Sequence, residues 1–170
     1  MKRNHPQKAF SIIELIVVIG IIAVLATIVA VATSSVRIKV RDQARMTDLN
    51  NIYRFLGTAG GGSIASYWPD SIPNEDDLNV LIDAWKSKFN SNLFSQPPHD
   101  PRAATQSKSG YRYRYDSGNV VIYANLEKKD TPATLSFSEP TPAGGRGVFI
   151  GTGPWTSGVN GTDRYYQVSN

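Results

Sequence analysis

Cysteine is absent from the 170 residues. Disulfides, thiolate metal sites, iron–sulfur clusters and a cysteine nucleophile are thereby excluded, so any folded unit holds together by packing and hydrogen bonds. Histidine is scarce: His5 lies in a basic leader and His99 in a Pro-rich loop, where a lone His reads as a solvated residue rather than a ligand or base. No Ser–His–acid set, nucleotide-binding glycine loop or H-E-x-x-H is present, and the sequence implies neither catalysis, cofactor nor metal. A strong net field is also missing. The chain carries 18 Lys and Arg against 14 Asp and Glu, but without Lys2, Arg3 and Lys8 the balance is 15 against 14. The pI of 9.4 is therefore no signature of a nucleic-acid binder.

The most informative absence is local. Leu15 to Val36 contains no charge and is almost wholly apolar. The 27 residues FSIIELIVVIGIIAVLATIVAVATSSV, from Phe10 to Val36, hold one charge, Glu14, no Pro, and one Gly, Gly20. The stretch after Glu14 spans roughly 33 Å as a helix, enough to cross a bilayer core. Ala30-Val31-Ala32 offers an ordinary signal-peptidase site that would leave Thr33 as the new N-terminus. Against that reading, the apolar stretch exceeds the ~7–15 residues of a secretory signal and carries an acid near its start. The helical pattern also continues past the site through Val36, Val40 and Ala44, and an apolar stripe at Ile52 and Leu56 runs toward Gly57. A carboxylate among Ile, Leu and Val costs on the order of 2.5–3.5 kcal/mol in a bilayer, so Glu14 is either interfacial or kept for a purpose.

Lys8-Ala9-Phe10-Ser11-Ile12-Ile13-Glu14-Leu15 and the apolar helix after it resemble the class III signal of type IV pilins and pseudopilins. The resemblance covers about the first 30 residues. It implies cleavage between Ala9 and Phe10 by a prepilin peptidase, methylation of the new Phe10 amine, and retention of the helix as membrane anchor and polymer core. Glu14 corresponds to the family's acid and would pair with the Phe10 amine of a neighbouring subunit. Such a pair attracts strongly in low-dielectric surroundings. The implied partners are identical or related subunits, the peptidase/methyltransferase, and a membrane platform with its assembly ATPase. The implied location is the cytoplasmic membrane, single-pass with the C-terminal part outside, then a filament. Two departures are visible: Ala9 stands where Gly is usual, and Val31 stands where many members carry a helix-bending Pro.

Beyond the span, Arg37, Arg41 and Arg45 recur at spacing four and read as an interfacial, solvated stripe. The helix is expected to end near Leu56, about 70 Å from its start, at Gly57 and the glycine run 60–62. Pro73-Asn74-Glu75-Asp76-Asp77 reads as a helix start, with Asn74 as cap and three acids in the first turn, followed by a stripe of Leu78, Leu81, Ile82, Trp85 and Phe89. Those acids lack the glycine and alternation of a calcium loop. Tyr111 to Tyr115 alternates strictly, turns at 116–119 and returns over Val120 to Leu126, a hairpin. The tyrosines are expected on the long helix, with Arg112 and Arg114 facing away. With Lys128 and Lys129 they form a candidate basic face for DNA or an acidic surface. Gly147 to Ile150 and Tyr165 to Val168 are further strands, and Asn160-Gly161-Thr162 matches a glycosylation sequon.

The expected fold is α+β: a long N-terminal helix on a small antiparallel sheet. Its parts are a cleaved leader (1–9), a membrane and polymerisation half-helix (10–36), the remaining helix (37–56), a connecting region with a short helix near 75–89 (57–110), and a sheet region (111–170). The function so implied is a structural filament subunit. A pseudopilin of a type II-like secretion system is the nearest alternative, since pili of the Gram-negative type usually close the C-terminal region with a disulfide. The alternative of a different class is a binding module released after Ala32.

Overall fold

The computed structural model describes residues 10–59, 68, 72–89 and 97–169. The leader, with Ala9, and the glycine run at 60–62 lie outside them. The chain divides into two units, one ending at Arg37 and the other beginning at Ile38.

Helix α1 is Ile12–Ala59, 48 residues, and contains a window of mean hydropathy 3.2. It starts two residues after Phe10 and continues through Gly57. In the N-terminal unit the large apolar side chains from Phe10 to Val29 are between 50% and 88% exposed. The hydroxyls of Thr27, Thr33 and Ser35 donate to the carbonyls of Val24, Val29 and Ala32 at 2.7, 2.6 and 3.0 Å. A hydroxyl that closes onto its own helix presents no unmet donor to hydrocarbon. The segment is thus a helix apolar all round, the form suited to a membrane span.

The second unit is built on a five-stranded antiparallel sheet. Its strands are β1 (Glu75–Asp77), β2 (Arg112–Asp116), β3 (Asn119–Asn125), β4 (Gly147–Ile150) and β5 (Arg164–Val168), in spatial order β1-β2-β3-β5-β4. The β2–β3 hairpin turns through Ser117 and Gly118, both at positive φ. One sheet face carries Tyr113, Val120, Ile122, Ala124 and Val168. It is covered by Leu49, Ile52 and Leu56 of α1 and by Leu78, Leu81, Ile82 and Trp85 of α2 (Leu78–Phe89). Each such fully buried aliphatic side chain stabilises the fold by ~1.5–3 kcal/mol. The opposite face bears Tyr123, Phe149 and Tyr165, covered by Leu135, Phe137 and Trp155.

Three local expectations differ from what forms. Val36 and Val40 are exposed; the buried stripe of α1 is instead Asp42, Arg45, Leu49, Ile52 and Leu56, spaced three and four apart. Glu75–Asp77 is an edge strand rather than the first helical turn, because β2 offers it a ladder: Tyr115 N–H donates to Asn74 O at 2.7 Å and Leu78 N–H to Tyr111 O at 2.9 Å. The helix therefore begins at Leu78. Asp77, not Asn74, supplies the cap, its Oδ1 accepting from Asn79 N–H at 3.0 Å.

Candidate functional site

At the start of α1, Phe10 is 88% exposed. Ser11 Oγ accepts from Ile13 N–H at 3.3 Å, and Glu14 Oε2 accepts from Ser11 N–H at 3.0 Å. Residues 11–14, Ser-Ile-Ile-Glu, thus form a reciprocal capping box, which satisfies two of the donors a helix N-terminus otherwise leaves unpaired. The positive end of the helix dipole further favours the carboxylate there. Glu14 therefore has a favourable place within its own chain. The S-x-x-E pattern ahead of an apolar run was a sequence signal for this, though the acid first draws attention by its isolation. Ala9, the other residue of the expected cleavage site, is outside the described residues.

The second concentration of chemistry is one the sequence hides. Arg45 is fully buried, and its guanidinium donates to Asp100 Oδ2 and Oδ1 at 2.7 and 2.8 Å and to Asp42 Oδ1 at 2.7 Å. Its Nη2 also lies 2.7 Å from Glu127 Oε1. Arg41 grips Glu127 with two further bonds, at 2.7 and 2.6 Å. Asp42 accepts the N–H groups of Glu127 and Lys128, while Asp100 accepts those of Arg102 and Ala103. The Arg41 hydrogen bond, opposed by burial and reinforced by Arg45, holds the Glu127 carboxyl down at about 2. Burial alone would raise Asp100, but Arg45 and the two N–H groups hold it below its ordinary value. Burial likewise opposes the charge on Arg45, and Asp100 and Glu127 more than restore it. Every acid here is saturated with donors, so the cluster has no free base or proton donor. It fastens α1 to the loop at 100–103 and to the chain after β3. The expected solvated stripe is thus corrected at Arg41 and Arg45: these residues are buried or half-buried because acids distant in sequence meet them.

The remaining candidates fall as follows. Tyr111 faces α1 as expected, its hydroxyl donating to Asp48 at 2.8 Å. Arg112 and Arg114 lie on the other face, but Arg112 is 3.4 Å from Glu75, and Arg114 is 3.0 Å from Glu139 and 3.9 Å from Glu75. An outward contact through these two would use partly neutralised guanidinia. Lys128 and Lys129 sit in the chain beyond β3, without a carboxylate partner among the described residues. Asn160 is buried, its Nδ2 donating to Asp100 at 3.1 Å and to the Asn125 carbonyl at 2.8 Å. The nitrogen that glycosylation would need is already committed.

Residues 4–30 match the family model described as the prokaryotic N-terminal methylation motif. The match contains the Ala9–Phe10 junction, the capping box and most of the apolar run. No curated protein and no solved structure matches the chain significantly.

Proposed function

We propose that this chain is the precursor of a type IV pilin-like filament subunit, cleaved between Ala9 and Phe10, methylated on Phe10, and polymerised through α1. The methylation-motif match at residues 4–30, coinciding with an exposed apolar helix that begins just after Phe10 and holds Glu14 in its first turn, carries this reading. The role is mechanical. The span holds the subunit in the cytoplasmic membrane until an assembly platform and its ATPase extract it. Its apolar surface then packs against the spans of neighbouring subunits, and the sheet unit faces outward. In the filament, Glu14 accepts the Phe10 amine of a neighbour and sets the register. Before assembly, the Ser11 N–H gives the same carboxylate a partner, which lowers the penalty of an orphan acid near the membrane. The absence of cysteine favours a secretion pseudopilus, or a pilus that closes its C-terminal region without a disulfide.

Glu14→Val tests the register role. Loss of the acid makes membrane insertion easier and leaves Ala9 and Phe10 for the peptidase. In the polymer the neighbour's amine would be buried without a counter-charge, at a cost on the order of several kcal/mol per subunit. The variant should accumulate as mature, membrane-bound monomer with few filaments by electron microscopy. Abundant filaments built only of the Val variant would contradict the role.

A further inference from the structure

A cavity of about 350 Å³ opens beside Tyr123 and Tyr165, on the sheet face opposite α2, and nothing in the filament role uses it. This volume is within the range of small-ligand sites. Its aromatic wall is Trp155, a half-buried indole at the end of the single turn Gly153–Trp155. Tyr123 and Tyr165 meet it edge-on, at centroid distances of 5.4 and 5.8 Å and angles of 81° and 89°. The two tyrosines are neighbours of each other, 6.4 Å apart, and a ring held in place by such a pair loses little freedom when a ligand settles on it. Val159, at the rim, is 67% exposed, an apolar side chain that water leaves poorly served.

The polar lining carries both signs. Asp76, Asp77, Lys108 and Arg112 all line it, with Asp77 and Arg112 paired across β1 and β2. The Asp77 carboxylate is spent on the N–H groups of Asn79, Ser109 and Gly110. Asp76 commits Oδ1 to the Asp77 N–H. Arg112 is shared with Glu75, and Lys108 has no carboxylate partner among the described residues. A strongly charged ligand gains little from so balanced a lining. A polyhydroxylated ring suits it: each hydroxyl both donates and accepts, and the ring's C–H face carries the partial positive charge that an indole face attracts. From this lining we infer that the cavity binds a pyranose unit of an uncharged oligosaccharide, with Trp155 as the stacking platform and Lys108 as a hydroxyl donor. The inference rests on the sheet unit alone and does not depend on the filament reading.

The test uses the full chain in micelles of a zwitterionic detergent without a sugar headgroup. Cellotetraose, maltotetraose and chitotetraose are titrated by calorimetry, beside tetragalacturonate and oligothymidylate. At least one neutral tetrasaccharide should bind with a Kd on the order of millimolar or tighter. Trp155→Ala should weaken that binding about tenfold, as expected for loss of one aromatic platform. Because Trp155 also covers Tyr123 and Tyr165, Lys108→Ala supplies a second variant at an exposed position with no packing role, and should weaken binding roughly threefold. Failure of all three neutral probes would overturn the inference. So would binding of tetragalacturonate or oligothymidylate alone, or neutral binding that both variants retain in full.

Discussion

Arg45 shows how differently one residue type behaves at equal spacing. Arg37 is exposed, Arg41 half-buried and Arg45 fully buried, and nothing in the repeat of four distinguishes them. The difference comes from Asp100, 55 residues away, and from Glu127. A guanidinium is suited to this place because its planar fork engages three carboxylates from three segments at once, which an ammonium cannot reproduce. Arg45→Ala would leave Asp100, Asp42 and Glu127 buried without their shared cation, a loss of about 3–5 kcal/mol. Arg45→Lys should recover only part of it. Denaturant midpoints of the sheet unit, followed by near-ultraviolet circular dichroism of the detergent-solubilised chain, should order wild type, Lys and Ala from most to least stable. Equal midpoints would mean that the cluster is incidental. Such a hub was not legible in the sequence, since the acids that bury Arg45 are assigned by tertiary contact alone. The Ser11–Glu14 cap was missed as well, although its S-x-x-E pattern lies within one helical turn.

Among the elements, α1, α2, the hairpin and the last two strands are readable from periodicity. The tyrosines of β2 alternate with arginines, and β3, β4 and β5 are rich in Val, Ile, Tyr and Phe. β1 was not readable. Glu-Asp-Asp has low strand propensity, and three residues carry no period. Its strand form follows from the unpaired edge of β2 and from Asp77, which caps α2 while accepting from Ser109 N–H and Oγ, each at 2.9 Å, and from Gly110 N–H at 3.2 Å. One side chain therefore joins β1, α2 and the chain entering β2. Asp77→Ala would remove the cap and orphan the buried Ser109 donors, a destabilisation of about 1–3 kcal/mol. Hydrogen exchange should then speed up over residues 75–82 before the rest of the sheet. Unchanged protection there would show that the junction holds without its carboxylate.

For the molecule as a whole, acid is the condition that separates the contributions. Glu127 titrates near 4.5 when unfolded and near 2 when folded, and Asp100 is depressed in the same direction. A depressed carboxyl stabilises the fold fully above its unfolded value and loses that contribution as pH falls through the folded one. Stability of the sheet unit should therefore decline as pH falls from about 4.5 toward about 2. Glu127→Gln should flatten the slope. A midpoint independent of pH across that window would contradict the saturated charge cluster. The N-terminal apolar run is uncharged beyond Glu14. Its pattern was the most legible feature of all: the apolar run, the acid and the Ala9–Phe10 junction are local in sequence and match a known motif. Intact-mass analysis with N-terminal sequencing of the mature protein decides whether the apolar helix is retained from Phe10 onward. A retained helix gives a chain starting at Phe10 with one added methyl group; a chain starting at Thr33 would refute retention.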